Sequence, residues 1–295
     1  MKSNKFKVLR SLMFVPAHNL KLMDSAIKRE LDVLLLDLED SVQPVGNKKV
    51  ARKNIIDYVG RNAFGKKLIF PRVNDRESGE LLKDVHELTI DGVHGFMYPK
   101  AHTGQDIYFF DKLLETIEYE KGYEIGTFKI IPLIETSAAV LNVQEICAAS
   151  KRVVSIAYGC EDFITDLGGI HDIEGQSLFV PRARIAMAAK AHGIVPIDTV
   201  HINVHDLDDL EKNLKLAKIL GFEGMLILNP VEIPLVHEYF SPTEKEYNDA
   251  LELLRLAEIA ESEGKGVAVI NGKFIGPPMI QTAKNIIEKV RIIKS

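Results

Sequence analysis

The chain has 295 residues, of which 46% are hydrophobic and 27% charged, and its formal net charge is −5. This length is large for one ordinary domain but normal for an α/β barrel, which needs about 250 residues, and the composition excludes wholesale disorder. The negative charge argues against a protein that neutralises nucleic-acid phosphates along a groove.

Cysteine usage and hydropathy indicate the compartment. The two cysteines, Cys147 and Cys160, are not in a CxxC spacing, so neither a zinc site nor a redox motif is indicated. The N-terminus lacks the basic-then-apolar order of a signal peptide, and no apolar run reaches the roughly 18 residues of a membrane span. We therefore expect a soluble cytoplasmic protein with no membrane partner.

Apolar runs rich in β-branched residues alternate with helix-length segments along most of the chain. The predicted strands are 8–16, 33–40, 67–74, 92–100, 128–135, 153–162, 199–204 and 223–230. The predicted helices between them are 20–29, 47–59, 78–88, 105–121, 138–150, 182–193 and 207–221, with Pro181 near the start of the sixth. Eight strands alternating with helices predict a TIM (β/α)₈ barrel over residues 1–240. No GxGxxG follows the first strand and no Walker loop is present, which disfavours a nucleotide-binding open sheet.

The pattern changes after residue 240. A long helix is predicted over 244–263, followed by the short apolar run GVAVING and a last helix over 278–294. We expect residues 241–295 to form a C-terminal helical extension. Such an extension can fold back on its own barrel or cover a neighbouring subunit, and we favour the neighbouring subunit.

Carboxylates stand at the ends of two consecutive predicted strands. Glu135 ends FKIIPLIE, and Glu161 and Asp162 end VVSIAYGCED, with a helix-length segment between the two runs. Strand, helix and strand form a parallel crossover, so these acids should emerge at one end of the sheet. Carboxylates gathered there suit a hard cation such as Mg²⁺.

Arg72 follows Pro71 at the end of the third strand. Its guanidinium is a planar fork that can grip a carboxylate of a ligand, or it can form an ion pair with Asp37 or Glu39 on the adjacent strand. One of these acids is expected to orient Arg72 or a metal-bound water. Lys100 can neutralise a carbonyl oxygen or pair with an acid. The histidines His18, His201 and His205 are scattered, and a structural role is expected for each.

Five motifs resemble those of a known family. In order they are RSLMFVPAHN, LLLDLEDSV with a downstream KKVAR, FPRVN, PLIET and GCEDFITDLGG. They resemble the citrate lyase beta subunit and, more broadly, the citrate lyase/malyl-CoA lyase branch of the HpcH/HpaI aldolase superfamily. The resemblance runs from about residue 10 to about residue 287.

The resemblance implies a TIM barrel that assembles as a homotrimer or hexamer. It implies that Glu135 and Asp162 hold Mg²⁺, that Glu135 and Arg72 are catalytic, and that Arg72 binds the carboxylate of oxaloacetate, glyoxylate or pyruvate. Arg10 is implied to lie near the substrate. The implied reaction is reversible cleavage of a carboxylated 3-hydroxyacyl thioester, on CoA or an acyl carrier, to an acyl thioester and a 2-oxo acid.

Two positions depart from the family pattern. The tail motif reads NGKFIGPP, so Gly276 stands where relatives often carry an aspartate that transfers a proton in a neighbouring subunit's site. Asn229 stands where relatives often carry histidine before the proline. These departures leave two alternatives open: an aldolase for free 2-oxo acids, or a non-catalytic subunit that binds a 2-oxo acid.

Overall fold

The structure, a computed structural model, describes residues 6–171, 175–262, 268–270 and 273–294. Eight parallel strands form its central sheet. They are β1 (Ser11–Pro16), β2 (Val33–Asp37), β3 (Leu68–Ile69), β4 (Gly95–Tyr98), β5 (Lys129–Ile134), β6 (Ser155–Tyr158), β7 (Val195–Asp198) and β8 (Gly224–Ile227).

The strand order shows that this sheet closes on itself. Each strand pairs with its neighbour along the chain except β3 with β4, and β1 pairs in parallel with β8. Between β3 and β4 the ladder is carried by Arg72, which bridges Asp37 on one side and Met97 on the other. The predicted (β/α)₈ barrel is therefore confirmed, and the carboxyl ends of all eight strands meet at one end.

Helices follow the strands around the outside of this barrel. They are α1 (Leu20–Ala26), α2 (Gly46–Gly60), α3 (Leu81–Leu88), α4 (Gly104–Lys121), α5 (Ser137–Leu141), α6 (Val143–Ala148), α7 (Cys160–Leu167), α8 (Gln176–Ala191), α9 (Leu207–Leu220) and α10 (Ile233–Phe240).

Several of these elements differ from their predictions. The seventh strand is Val195–Asp198, not 199–204, because register with β6 and β8 places Ile197 opposite Ala157 and Gly224. The predicted helix over 138–150 is two short helices, α5 and α6. Helix α8 begins at Gln176 and contains Pro181, which is therefore not near its start. The helix α10 was not predicted at all.

Buried apolar side chains hold the barrel together. All five residues of β2 are buried, because strands of a parallel sheet are covered on both faces. Phe96 on β4 contacts Phe110 edge-on and Phe128 in a tilted arrangement, at centroid distances of 6.2 and 6.1 Å. Burial of each such ring contributes about 1.5–3 kcal/mol.

The chain divides into two compact units, Leu9–Val236 and Met1–Val8 with His237–Ser295. In the second unit, α11 (Glu244–Ser262) packs against α12 (Pro277–Lys294), and β9 (Ala268–Ile270) pairs antiparallel with β10 (Lys273–Ile275). The carbonyl of Gly276 accepts hydrogen bonds from Met279 and Ile280 at the start of α12. Residues 271–272 of the NGKFIGPP stretch lie outside the described residues. None of the helices in the described part of the chain is long and apolar enough to cross a membrane.

Candidate active site

A cavity of about 440 Å³ opens at the carboxyl ends of the barrel strands. Three residues singled out in the sequence, Arg72, Glu135 and Asp162, all line it. The other lining residues include Phe14, Val15, Pro16, Asp37, Ser41, Leu133, Gly159, Cys160, Glu161, Leu226 and Leu228. The structure thus brings the two predicted carboxylates and the guanidinium into one concave site, lined mostly by apolar side chains.

Arg72 is held by an ion pair with Asp37. Its Nε and Nη2 donate to the two carboxylate oxygens of Asp37 at 2.7 and 2.8 Å, and its Cζ lies 4.9 Å from the centre of the Phe14 ring. Asp37 also accepts hydrogen bonds from the main-chain N–H groups of Glu39 and Ser41. Burial alone would raise the pKa of Asp37, but Arg72 lowers it below its usual value, so this carboxyl is ionised. Of the two partners considered from the sequence, Asp37 is the one that binds Arg72 in a fork.

Glu39 lies between two cations. One carboxylate oxygen lies 2.9 Å from Nη1 of Arg72 and the other accepts from Nζ of Lys100 at 2.8 Å. Burial nevertheless raises the pKa of Glu39 to about 7, and it does so in spite of Arg72. Lys100 therefore pairs with an acid, which was one of its two predicted roles, and this ion pair raises its pKa well above the usual value. An ammonium with a raised pKa is unsuited to Schiff-base chemistry.

Glu135 is buried at the carboxyl end of β5 and is only 1% exposed. Its Oε1 accepts a 2.7 Å hydrogen bond from the main-chain N–H of Lys100. Burial raises the pKa of Glu135 to about 8, with further contributions from the nearby carboxylates of Glu39 and Asp162. Burial and these two carboxylates outweigh the nearby Arg72, so the surroundings of Glu135 favour either a proton or a metal ion.

Asp162 reaches the site in a different way from the prediction. The sixth strand ends at Tyr158, and Glu161 and Asp162 lie in the first turn of α7, not at the end of the strand. The strand is short because Gly159 turns the chain directly into the helix. Acidic side chains are favoured in a first helical turn, where the helix dipole is positive. The helix still begins at the carboxyl end of the barrel, so Asp162 lines the cavity.

Gly159 is a residue of this site that sequence reasoning missed. A Cβ at this position would lie 2.9 Å from Cβ and 3.1 Å from Oε2 of Glu135. The backbone there is extended with a φ of −103°, so only the close approach of Glu135 requires glycine. The sequence signal that could have identified Gly159 is its position after an apolar run and shortly before Glu161 and Asp162.

Arg10 is not part of this site. It precedes β1, and its main-chain N–H and guanidinium both donate to the carboxylate of Asp32, which precedes β2. Both residues therefore lie at the amino ends of their strands. Arg10 is not among the residues that line the cavity, which along β1 begin at Met13. The place of Arg10 at the amino end of β1, where it binds Asp32, does not support the expectation that it lies near the substrate.

Two other polar residues considered in the sequence, Asn229 and His201, have structural partners. Asn229 caps the short 3₁₀ turn that follows β8, where its side chain accepts from the N–H of Val231. His201 is buried in a neighbouring cavity of about 450 Å³, 2.9 Å from Asp209 and 3.7 Å from Glu232. Its pKa is raised by these two acids against the effect of burial. This geometry agrees with the structural role expected for His201.

The donor set at the cavity fits a hard divalent cation. Glu135 and Asp162 offer carboxylate oxygens, and Mg²⁺ is bound through one or two carboxylates with waters or substrate oxygens completing six positions. Within the described ranges, no group of three or more His, Cys, Asp or Glu side chains gathers as a preformed metal cage. A cation held here would therefore keep several positions for substrate and water.

Comparisons with known proteins place this chain beside lyases of one family. The citrate lyase subunit beta of Haemophilus influenzae is 33% identical over 285 residues, which cover 97% of this chain and 98% of that protein. The L-malyl-CoA/beta-methylmalyl-CoA lyase of Cereibacter sphaeroides is 30% identical over 307 residues, covering 97% and 96%. A solved citrate lyase beta subunit from M. tuberculosis, complexed with oxaloacetate and magnesium, is 25% identical with a TM-score of 0.64 and covers 81% of this chain and 100% of that chain.

The family model for HpcH/HpaI aldolase/citrate lyase matches residues 10–230, which includes every residue of the cavity. The resemblance seen in five sequence motifs is confirmed, and the chain belongs to the HpcH/HpaI aldolase/citrate lyase family.

Proposed function

We propose that this protein is an Mg²⁺-dependent carbon–carbon lyase. It cleaves a carboxylated 3-hydroxyacyl thioester of the citryl, malyl or citramalyl type to an acyl thioester and a 2-oxo acid such as oxaloacetate, glyoxylate or pyruvate. The observation that carries this proposal is that Arg72, Glu135 and Asp162 line one cavity inside the residues that match the family.

Glu135 and Asp162 are the residues that would hold the cation. The related structure that contains magnesium and oxaloacetate supports the choice of cation, and the raised pKa of the buried Glu135 carboxyl supports its role as a ligand. When bound, Mg²⁺ supplies Lewis-acid polarisation of the 2-oxo acid carbonyl.

The residues of the chain position the substrate for bond cleavage. Arg72 is fixed by Asp37 and by the face of Phe14, so its remaining N–H groups present a preorganised cation to a carboxylate. In the cleavage direction the substrate hydroxyl loses its proton and becomes the carbonyl of the 2-oxo acid. The electron pair of the broken carbon–carbon bond passes to the α-carbon of the thioester, which then takes up a proton.

The test is to incubate citryl, malyl and citramalyl thioesters with the protein and Mg²⁺ and to identify both products by mass spectrometry. Glu135→Gln and Asp162→Asn are expected to lower turnover by at least about 100-fold, since each removes an anionic oxygen from the cation site. Glu145→Ala, which removes an exposed carboxylate from α6, is the matched control and should retain activity. Turnover that survives both a chelator and Glu135→Gln would rule out the metal mechanism.

A second candidate function is a non-catalytic subunit that binds a 2-oxo acid with Mg²⁺. Gly276 favours it, because glycine offers no side chain for proton transfer at the tail position where relatives often carry aspartate. Calorimetry combined with the turnover assay distinguishes the lyase from the binding subunit. Binding of oxaloacetate with Mg²⁺, but no turnover across the thioester panel, supports the binding subunit. Turnover of a free 2-oxo acid aldol without a thioester product would instead identify the aldolase alternative.

We also propose that the C-terminal extension packs on a neighbouring subunit in a trimer or hexamer. Apolar residues on both of its long helices are only half-buried within one chain: Leu253, Leu254, Leu256, Ile286, Ile287 and Val290. Multi-angle light scattering of the full chain tests this, and a monomeric mass would contradict it.

We also propose that the protein is cytoplasmic. Its two cysteines are free thiols, and thiols stay reduced in the cytoplasm.

A further inference from the structure

The guanidinium of Arg72 has one edge already occupied. Nε and Nη2 face the two carboxylate oxygens of Asp37, so the bidentate edge that usually grips a ligand carboxylate is used within the protein. A ligand carboxylate would have to approach the other edge, formed by Nη1 and Nη2, where both nitrogens already lie near acids. Nη1 lies 2.9 Å from Glu39 and 3.4 Å from Asp40. A ligand carboxylate must therefore share or take over the place of an acidic side chain.

The three acids around Arg72 differ in how firmly they are held. Asp37 is buried and accepts main-chain hydrogen bonds in addition to the two from Arg72. Glu39 is buried and is held from its other oxygen by Lys100 at 2.8 Å. Either acid, if displaced from Arg72, would leave a buried carboxylate with fewer partners, which is costly.

Asp40 is held least firmly of the three. Its 3.4 Å contact with Nη1 is the longest of the set, and its side chain is 57% exposed at a turn after β2. Once it leaves Arg72, water can solvate its carboxylate. An exposed ion pair of this length contributes little, so a substrate anion can replace it at small cost.

We infer that Asp40 is a specificity-determining residue that occupies Nη1 of Arg72 in the ligand-free site and gives way to the carboxylate of the substrate. This inference rests on the proposed function. An incoming carboxylate restores the charge that Asp40 contributed, whereas an uncharged group does not and leaves Asp40 paired with Arg72. Asp40 therefore limits the affinity for carboxylated substrates more than the affinity for neutral analogues of the same shape.

The experiment measures the affinity of oxaloacetate for the full chain by calorimetry at saturating Mg²⁺. Asp40→Asn is expected to bind oxaloacetate about two- to five-fold more tightly, because an exposed pair no longer competes. The affinity for an uncharged amide analogue of the same acid should change by less, so the preference for the carboxylate increases. A purely structural role of Asp40 would not alter this ratio.

Asp75→Asn is the matched control. It removes one negative charge 3.5 Å from Nζ of Lys100 but makes no contact with Arg72, and asparagine can keep the capping hydrogen bond to Ser78. Its oxaloacetate affinity should stay within about twofold of the unmodified protein. If Asp40→Asn and Asp75→Asn tighten oxaloacetate binding equally, the change comes from the loss of any nearby negative charge, and the inference is overturned.

Two further outcomes are distinguishable. If the unmodified protein binds oxaloacetate and Asp40→Asn binds it equally or more weakly, the role of Asp40 is overturned while the proposed function stands. If the unmodified protein binds no oxaloacetate, pyruvate or glyoxylate with Mg²⁺, the proposed function fails and the inference fails with it. Asp40→Ala repeats the measurement without the asparagine amide, and it must change affinity in the same direction.

Discussion

The main-chain N–H of Lys100 donates a 2.7 Å hydrogen bond to Oε1 of Glu135. Lys100 can do this because its φ is +51°, a left-handed conformation that residues other than glycine seldom adopt. The orientation of the buried carboxylate therefore depends on the backbone of this residue and not on its ammonium, which pairs with Glu39.

This division of roles at residue 100 can be tested with two substitutions. Lys100→Gly and Lys100→Ala both remove the ammonium, but only glycine adopts the left-handed conformation without strain. The glycine variant should be more stable than the alanine variant by about 1 kcal/mol. It should also bind Mg²⁺ more tightly than the alanine variant, since its N–H stays aimed at Glu135. Urea unfolding and calorimetry provide the two measurements, and equal values for both variants would contradict the argument.

Gly159 allows Glu135 to take its position, so Gly159→Ala should disturb the cation site. The added Cβ would lie 2.9 Å from Cβ of Glu135, which must shift because neither group is the end of a flexible chain. We expect Mg²⁺ affinity to fall by about tenfold or more, as for other changes that misplace a metal ligand. Gly46→Ala is the control, because a Cβ there meets nothing within 4 Å. Unchanged affinity in Gly159→Ala would show that Glu135 does not hold the ion in this position.

The barrel could be predicted from the sequence because its strands are buried on both faces and appear as apolar runs separated by helix-length segments. The polar ends of those runs then identified Arg72 and Glu135 by topology alone. The pairing of Arg72 with Asp37 was only one of several options, since alternation puts Asp37 and Glu39 on the same face of the strand. The register between neighbouring strands decides whether Asp37 or Glu39 binds Arg72, and the periodicity of one strand does not predict that register.

Other features could not be read from the sequence for identifiable reasons. The apolar run VVSIAYG continues into an amphipathic helix without a break, so the end of β6 and the placement of Asp162 on α7 were obscured. The alternation in TVHINV (199–204) is typical of a strand, but the barrel pairs Val195–Asp198 in its place. The raised pKa of Glu135 depends on burial and on neighbours that are distant in sequence.

Arg10 provides a test of the corrected site. Arg10→Ala should destabilise the fold by about 2 kcal/mol, because it removes charged hydrogen bonds to Asp32 at the amino end of the barrel. The affinity for oxaloacetate at saturating Mg²⁺ should stay within about twofold, since Arg10 does not line the cavity and its guanidinium is bound to Asp32. Arg72→Lys, which loses the fork at the cavity itself, is the contrasting variant and should bind at least about tenfold more weakly. An equal loss of oxaloacetate affinity in Arg10→Ala and Arg72→Lys would show that Arg10 contributes to substrate binding.

The pH dependence of Mg²⁺ binding follows from the buried carboxyl of Glu135. Burial raises its pKa to about 8, so in the metal-free protein it is mostly protonated at pH 7, and a cation must displace this proton. Mg²⁺ affinity should therefore rise by up to about tenfold per pH unit from pH 6.5 towards 8 and level off above that value. Calorimetry in buffers of different ionisation enthalpy should show proton release below pH 8. In Glu135→Gln this part of the pH dependence should disappear.

The same group makes the stability of the metal-free protein depend on pH. The folded state keeps a proton on Glu135 up to about pH 8, whereas the unfolded chain loses it near the ordinary value of 4.5. Because the folded state binds more protons in this window, the free energy of unfolding contributed by Glu135 is fully present below pH 4.5 and declines as pH rises through 8. The difference in melting temperature between Glu135→Gln and the unmodified protein, both free of metal, should therefore shift in favour of the variant between pH 5 and 8. A difference that does not change with pH would mean that this carboxyl titrates normally in the fold.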